Sequence, residues 1–307
     1  MKIEKINEKN KKTYMLITTL ILYLFIAIQK TVYFGLYGVT FKNLTQKGQL
    51  IGTIAYQIFA ISLSILFHEK NKNKTPEEFK KYAKLAGIGF ATIIVYSMTS
   101  LLEIGIIIIT KIDVSKMSLM QKSIYLIFCE ALIMTIMAIL NKNQLKNNFQ
   151  NLKGNLNEYF TSGLKLYALA LLIMMVSNIF ITQITHAIPG NEETIRQTLN
   201  KAPLYMVFSA VFFAPFTEEM VFRNSIKNII TNKYVFIITS GLVFGGLHVI
   251  GNINTIFDLL YIIPYSTPGI AFAIMLQKTD NIFVPMGIHF MHNAILMTLQ
   301  IVLLFLR

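Results

Sequence analysis

The sequence predicts an all-α protein, a polytopic transmembrane helical bundle of about eight or nine spans. Of its 307 residues, 54% are hydrophobic and only 14% are charged, and its mean hydropathy of +0.56 is too high for an ordinary soluble domain. The apolar residues also form stretches close to the roughly 20 residues that a helix needs to cross a bilayer. These stretches are 15–39, 49–67, 85–110, 122–140, 164–187, 203–222, 234–250, 256–276 and 282–304.

The number of spans depends on the stretch 256–276, which contains Asp258, Pro264 and Pro268. Proline removes a backbone donor, so this stretch either crosses as an irregular helix or re-enters the membrane. The basic N-terminal residues lead into 15–39 without a small-residue cleavage site, which predicts an uncleaved first span.

The positive charge indicates membrane orientation rather than nucleic-acid binding. The net charge is +13, but the lysines lie in short segments between apolar stretches and form no single basic patch. A cytoplasmic N-terminus places most of them inside, including two polar segments that begin at His68 and Asn141 and are predicted to be loops. The composition, rich in Lys, Asn and Ile, is typical of a low-GC bacterium, so the predicted location is a bacterial plasma membrane.

Polar residues divide the chain into two parts of one membrane-embedded domain. Residues 1–190 are predicted to be N-terminal transmembrane helices with few polar groups in their spans. Residues 203–304 are predicted to form a catalytic core, because they gather carboxylates, histidines and an asparagine inside apolar sequence.

The first polar group lies in the sequence TEEMVFR, within a predicted span. An ionisable residue in a span costs roughly 2.5–3.5 kcal/mol on insertion scales, so its presence needs a reason. Glu219 and Arg223 are four residues apart and share a helix face, while Glu218 points about 100° away. Taken alone, this segment is equally well explained by an ion pair at a helix end.

Two further polar groups follow in the next apolar stretches. Phe244 and His248 share one helix face, and Gly245 and Gly246 allow another helix to approach closely. His289 and Asn293 share a second face. Each pair alone favours ordinary interhelical hydrogen bonding, but the three groups can satisfy one another only by converging, and a convergent Glu, His, His and Asn set is typical of an active site.

Other charged residues are interpreted as structural. A second Glu-Glu pair followed by Arg occurs at Glu192, Glu193 and Arg196, but there the Arg is one residue closer to the glutamates than in TEEMVFR. These residues are predicted to lie in a solvated external loop. The remaining charges in or near spans stand singly and are predicted to snorkel, pair helices or end them. They are Lys30, Glu103, Glu130 and Asp258.

The three motifs read E218-E-M-V-F-R223, F244-G-G-L-H248 and H289-F-M-H-N293. In this order they resemble the signatures EExxxR, FxxxH and HxxxN of the CAAX protease and bacteriocin-processing (CPBP or Abi) family of intramembrane proteases. The resemblance covers residues 203–300, and Asn224 departs from it, because relatives often have Gly there. It implies that Glu218 is the principal catalytic carboxylate.

The same resemblance implies roles for the other positions. His248, His289 and Asn293 would complete the catalytic set, with Glu219, Arg223 and Phe244 as supporting residues. In the preferred mechanism no cofactor is required: Glu218 and His248 activate a water, and His289 and Asn293 donate hydrogen bonds to the developing oxyanion. In the alternative, one or more of Glu218, His248 and His289 bind Zn²⁺, which lowers the pKa of its bound water.

The expected partners are the lipid bilayer and a membrane-associated peptide or protein, with no nucleic acid. The resemblance implies small substrates such as bacteriocin or pheromone precursors, or CAAX-type termini. Two other classes stay open: a non-catalytic scaffold for a partner such as a sensor kinase, and a proton-coupled transporter, because buried charges and broken helices also mark transport paths.

Overall fold

The structure is a computed structural model that describes residues 10–20, 71–186, 189–250 and 256–306, together with positions 23, 58, 61, 64, 65 and 67–69. Residues 10–20 are helical. The predicted spans 15–39 and 49–67 lie mostly outside the described residues, and Lys30 lies outside them entirely.

The chain forms two compact units, Met1–Leu85 and Ala86–Arg307. The second unit contains every residue of the three motifs. The functional division between 1–190 and 203–304 stays a prediction.

The described residues form helices and turns without a strand, which confirms the all-α prediction. Short 3₁₀ turns occupy Val114–Lys116 and Ile256–Tyr261. The helices, numbered here along the chain, are α1 (Pro76–Ser97), α2 (Thr99–Thr110), α3 (Leu119–Leu140), α4 (Lys142–Thr185), α5 (Gly190–Lys201), α6 (Pro203–Ile229), α7 (Lys233–Ile250), α8 (Ile262–Thr279) and α9 (Phe283–Phe305).

Several of these helices are long and apolar enough to cross a membrane, which confirms a polytopic bundle. The described part of the chain holds five such helices: α3, α4, α6, α9 and the segment Phe257–Thr279 that includes α8. A sixth crossing is present if α1 and α2, which meet at a bend of 59°, form one broken span. Helix α7 is apolar but shorter. The stretch 256–276, the uncertain one in the sequence, is therefore helical and long enough to cross.

The prediction of a loop after Asn141 is wrong, because α4 begins at Lys142 and continues for 44 residues. At about 1.5 Å per residue this helix is about 66 Å long, roughly twice the hydrocarbon thickness. Its polar first half carries an apolar stripe, of which Leu152, Tyr159 and Phe160 pack against α8 and α9. The stripe gives this half a surface to bury, so it stays helical despite its polar composition.

The same polar half of α4 also binds the turn between α8 and α9. The Asn148 Oδ1 atom accepts a hydrogen bond from the backbone N–H of Ile282 at 2.8 Å, and its carbonyl accepts one from Asn281 Nδ2 at 2.7 Å. These bonds fix the N-cap residue of α9, the helix that carries the third motif, and the asparagine that precedes it.

Two other predicted loops contain helix. In the segment after His68, α1 begins at Pro76, where Thr75 and Glu78 form a capping box. The look-alike segment at Glu192 belongs to α5, whose Leu199 is buried against α6 and α9. Arg196 and Glu192 form a partly exposed ion pair at 3.1 Å. The charged side chains therefore lie at the surface, as predicted, but the backbone is helical and not a loop.

Helices α7 and α8 approach each other closely at small residues. A Cβ atom on Gly245 would lie 2.6 Å from the backbone N of Ser266, and one on Gly241 would lie 3.0 Å from the backbone N of Ile270. This contact confirms the predicted close approach at Gly245. It fixes the second motif against α8.

Candidate active site

The first motif lies in a helix with two π segments, Ser209–Phe213 and Glu219–Ser225. Pro215 lies between them and has no N–H to donate. The N–H of Ala214, which would serve Ala210 in an α-helix, donates instead to the carbonyl of Ser209. Local widening of this kind is frequent at functional sites, and here it brackets Glu218.

Glu219 is the centre of a buried polar chain that joins α6 to α9. Its Oε1 atom lies 2.8 Å from Nδ1 of His289, and its Oε2 atom lies 3.2 Å from Nε of Arg223. The side chains of Glu219 and Arg223 are both 0% exposed. Because a carboxylate only accepts, the hydrogen bond between these two residues is donated by Nδ1–H of His289.

Glu218 faces the opposite side of the same imidazole. Its Oε2 atom lies 3.8 Å from Nε2 of His289, which is beyond a direct hydrogen bond. Its side chain is 14% exposed, whereas Glu219 is fully buried. The two adjacent carboxylates therefore differ in role: Glu219 holds the ring, and Glu218 is the more accessible one.

The Arg223 guanidinium lies between two phenyl rings. Its Cζ atom is 4.3 Å from the ring centre of Phe244 and 5.3 Å from that of Phe272. Within the described part of the chain its terminal nitrogens have no hydrogen-bond partner, and its Nε–H is not aligned with Glu219 despite the short distance. The cation is held by charge and by the ring faces.

His248 joins this group through Phe244. Its Nδ1 atom lies 2.8 Å from the Phe244 carbonyl, and since a carbonyl only accepts, Nδ1–H is the donor. Nε2 of neutral His248 therefore carries the free lone pair. The ring centre of Phe244 lies 4.5 Å from that of His248 and 6.0 Å from that of His289, so one phenyl ring bridges the two histidines.

The side chain of Asn293 bonds to a backbone carbonyl of α6 that the first π segment leaves without a backbone donor. Its Nδ2 atom donates to the carbonyl of Ala210 at 2.8 Å. The N–H of Ala214 donates to Ser209, and Pro215 has no N–H, so neither residue donates to the carbonyl of Ala210. The side chain of Asn293 supplies the missing donor. One N–H of the carboxamide and its oxygen stay available for a ligand.

Asn224, the departure from the family pattern, has a structural role. Its Nδ2 atom donates to Oδ1 of Asn141 at 3.2 Å and to Oε1 of Gln144 at 3.1 Å. These bonds tie the residue after Arg223 to the start of α4. The first motif is thus anchored by a network of amide side chains.

Two aromatic residues of α8 complete the surroundings and were not identified from the sequence. The Tyr265 ring stacks on His248 at 5.1 Å between centres, and the Phe272 ring stacks on His289 at 5.1 Å. They lie about two helical turns apart on one face. That spacing was their only signal, and it is equally typical of ordinary core packing.

The three residues considered as zinc ligands do not form a ligand cluster. Within the described residues no group of three or more His, Cys, Asp or Glu side chains is placed to hold a metal ion. Nδ1 of His289 is taken by Glu219 and Nδ1 of His248 by a carbonyl, and the Phe244 ring contacts both imidazoles. The geometry therefore does not fit a zinc site on Glu218, His248 and His289.

Comparison with known proteins points to the same part of the chain. Residues 200–295 match the sequence model of a family described as type II CAAX prenyl endopeptidase Rce1-like. A Bacillus subtilis (strain 168) protein named "Putative membrane peptidase YdiL" is 27% identical over 114 residues, which are 36% of this chain and 43% of that protein. No solved structure matches the chain.

Proposed function

We propose that this chain is an intramembrane endopeptidase of the CAAX protease and bacteriocin-processing family and that it cleaves membrane-associated peptides or proteins. The observation that carries the proposal is the convergence of Glu218 and Glu219 of α6 with His289 of α9 inside an apolar bundle. The family match and the similarity to a named membrane peptidase support it.

In the proposed mechanism, Glu218 is the general base. A water next to its accessible carboxylate loses a proton to it and attacks the scissile carbonyl. When the C–N bond then breaks, protonated Glu218 gives that proton to the leaving amine. Glu218 Oε2 and His289 Nε2 are 3.8 Å apart and form no direct hydrogen bond, so each atom can contact a reacting group. Nε2 of His248, left with its lone pair, accepts a proton or a hydrogen bond from the water.

The oxyanion is stabilised by side-chain donors. With a proton on both ring nitrogens, His289 would donate Nδ1–H to Glu219 and Nε2–H to the developing negative charge, and Asn293 would donate its second amide N–H. Arg223 lies 3.2 Å from the other oxygen of Glu219 and holds that carboxylate in place beside His289. The apolar surroundings strengthen each of these interactions.

The proposed substrates are small membrane-associated peptides, including bacteriocin or pheromone precursors, and CAAX-type termini. The site belongs to a multi-pass membrane protein, so the substrate arrives from the bilayer or from its surface. The bacterial plasma membrane with a cytoplasmic N-terminus is the proposed location.

The experiment is peptide cleavage by the purified full-length protein in liposomes. The probes are a fluorescence-quenched peptide ending in a farnesylated CAAX sequence and the same peptide without the lipid, with products identified by mass spectrometry in water enriched in ¹⁸O. Hydrolysis predicts two peptide products, one with ¹⁸O in its new carboxyl group. A scaffold or a transporter gives no product from any membrane peptide tested, and that result contradicts the proposal.

A further inference from the structure

Glu130 on α3 is a buried carboxylate outside the three motifs. The residue is 4% exposed, and its Oε1 atom accepts hydrogen bonds from Ser209 Oγ at 2.7 Å and from Tyr205 Oη at 3.2 Å. Both donors belong to α6, so the predicted helix-pairing role is confirmed. Burial of a carboxyl group within a membrane span is costly, and a leucine would pair two helices at lower cost.

The two bonds meet α6 where that helix changes its geometry. Ser209 is the first residue of the π segment Ser209–Phe213, and its carbonyl accepts the displaced N–H of Ala214. Glu130 therefore holds the side chain of the residue whose backbone defines the widened turn. The next carbonyl, that of Ala210, accepts from Asn293.

Helix α9 docks on this same segment through three neighbouring contacts. Asn293 bonds to Ala210, the Phe290 ring meets the Phe212 ring edge to face at 5.3 Å, and Met297 packs in one buried cluster with Val211. The position of the segment thus sets the position of Asn293. A displacement of about 1 Å in a catalytic group can cost on the order of 10²-fold in rate.

We propose that Glu130 is a positioning residue of the peptidase reaction, acting through Ser209 and the Ala210 carbonyl to hold the Asn293 carboxamide toward the oxyanion. This inference rests on the proposed function. Glu130 touches neither substrate nor water in this role. Its carboxylate oxygen is needed as an acceptor, and a neutral amide oxygen at the same place serves equally well.

The test compares Glu130→Gln, Glu130→Met and Ser209→Ala in full-length protein in liposomes, with kcat and KM measured on whichever peptide the wild type cleaves and normalised to folded protein. Glu130→Gln keeps the acceptor and is expected to stay within about 3-fold of wild type. Glu130→Met and Ser209→Ala are each expected to lower kcat about 10-fold with little change in KM. Because they break the same bond, the double variant is expected to lose no more than either single one.

Glu103→Met is the matched control, since it removes a partly buried carboxylate from the neighbouring helix α2 and is expected to leave kcat unchanged. The inference is overturned if Glu130→Met matches wild type, if Glu130→Gln is as impaired as Glu130→Met, or if the losses of Glu130→Met and Ser209→Ala multiply. In each of these cases a cleaving wild type leaves the proposed function intact. A wild type that cleaves nothing overturns both proposals.

Discussion

Glu219 and His289 are 70 residues apart in sequence, and yet Oε1 of Glu219 lies 2.8 Å from Nδ1 of His289 in the interior of the bundle. The other oxygen of Glu219 faces Arg223. This single carboxylate therefore neutralises a buried cation and orients an imidazole. Its loss should affect both the stability of the protein and its activity.

We expect Glu219→Gln to destabilise the folded protein strongly, by about 3–5 kcal/mol, because it leaves the fully buried Arg223 cation without its counter-charge. Thermal unfolding in detergent measures the change. Adding Arg223→Met to this variant should recover part of the lost stability, since no unpaired charge is then buried. A Glu219→Gln variant as stable as wild type would show that the pair is not coupled.

The stacking of Tyr265 on His248 predicts a selective loss of rate. Tyr265→Leu removes the aromatic face that fixes the imidazole plane and should lower kcat about 10-fold, whereas Tyr265→Phe keeps the ring and should stay within about 2-fold. Steady-state kinetics on the same reconstituted protein separates the two. Equal rates for the Phe and Leu variants would exclude a role for the stack.

The contact between α7 and α8 predicts a packing defect on enlargement of Gly245. Gly245→Ala places a Cβ atom 2.6 Å from the Ser266 backbone nitrogen and should cost about 1–3 kcal/mol of unfolding free energy. Gly105→Ala, in α2 with no atom within 4 Å of the new Cβ, is the control and should be neutral or stabilising. A Gly245→Ala variant as stable as Gly105→Ala would contradict this packing.

Chelation distinguishes the two mechanisms considered from the sequence. The site lacks three convergent ligands, so we expect purified protein to keep its peptidase rate after dialysis against EDTA and 1,10-phenanthroline. Metal analysis of the same sample serves as the control. Loss of activity on chelation, with recovery on addition of Zn²⁺, would support the zinc mechanism instead.

Parts of this site follow directly from the sequence. Glu219 and Arg223 are four residues apart, and helical spacing alone predicts their pairing. Glu218, about 100° from Glu219 around the helix, is predicted to converge with His289, and its Oε2 atom lies 3.8 Å from Nε2 of that imidazole.

Other parts needed the structure because their sequence signals are ambiguous. The polar half of α4 resembles a loop in composition, and its stripe through Leu152 and Tyr159 is diluted by lysine and asparagine. Tyr265 and Phe272 have the spacing of any buried helix face. The hydrogen bond from Asn293 to Ala210 depends on Pro215, which marks a disturbed helix in the sequence without identifying the partner that repairs it.

The most direct test of the account is the ratio of cleavage rates for Glu218→Gln and wild type in liposomes. Without a carboxylate to activate water, the variant should lose at least about 10³-fold in kcat, while it folds and inserts as wild type does. Glu193→Gln, which alters an exposed carboxylate in α5, should retain the wild-type rate. A Glu218→Gln protein that cleaves at the wild-type rate would contradict the assignment of Glu218 as the catalytic base.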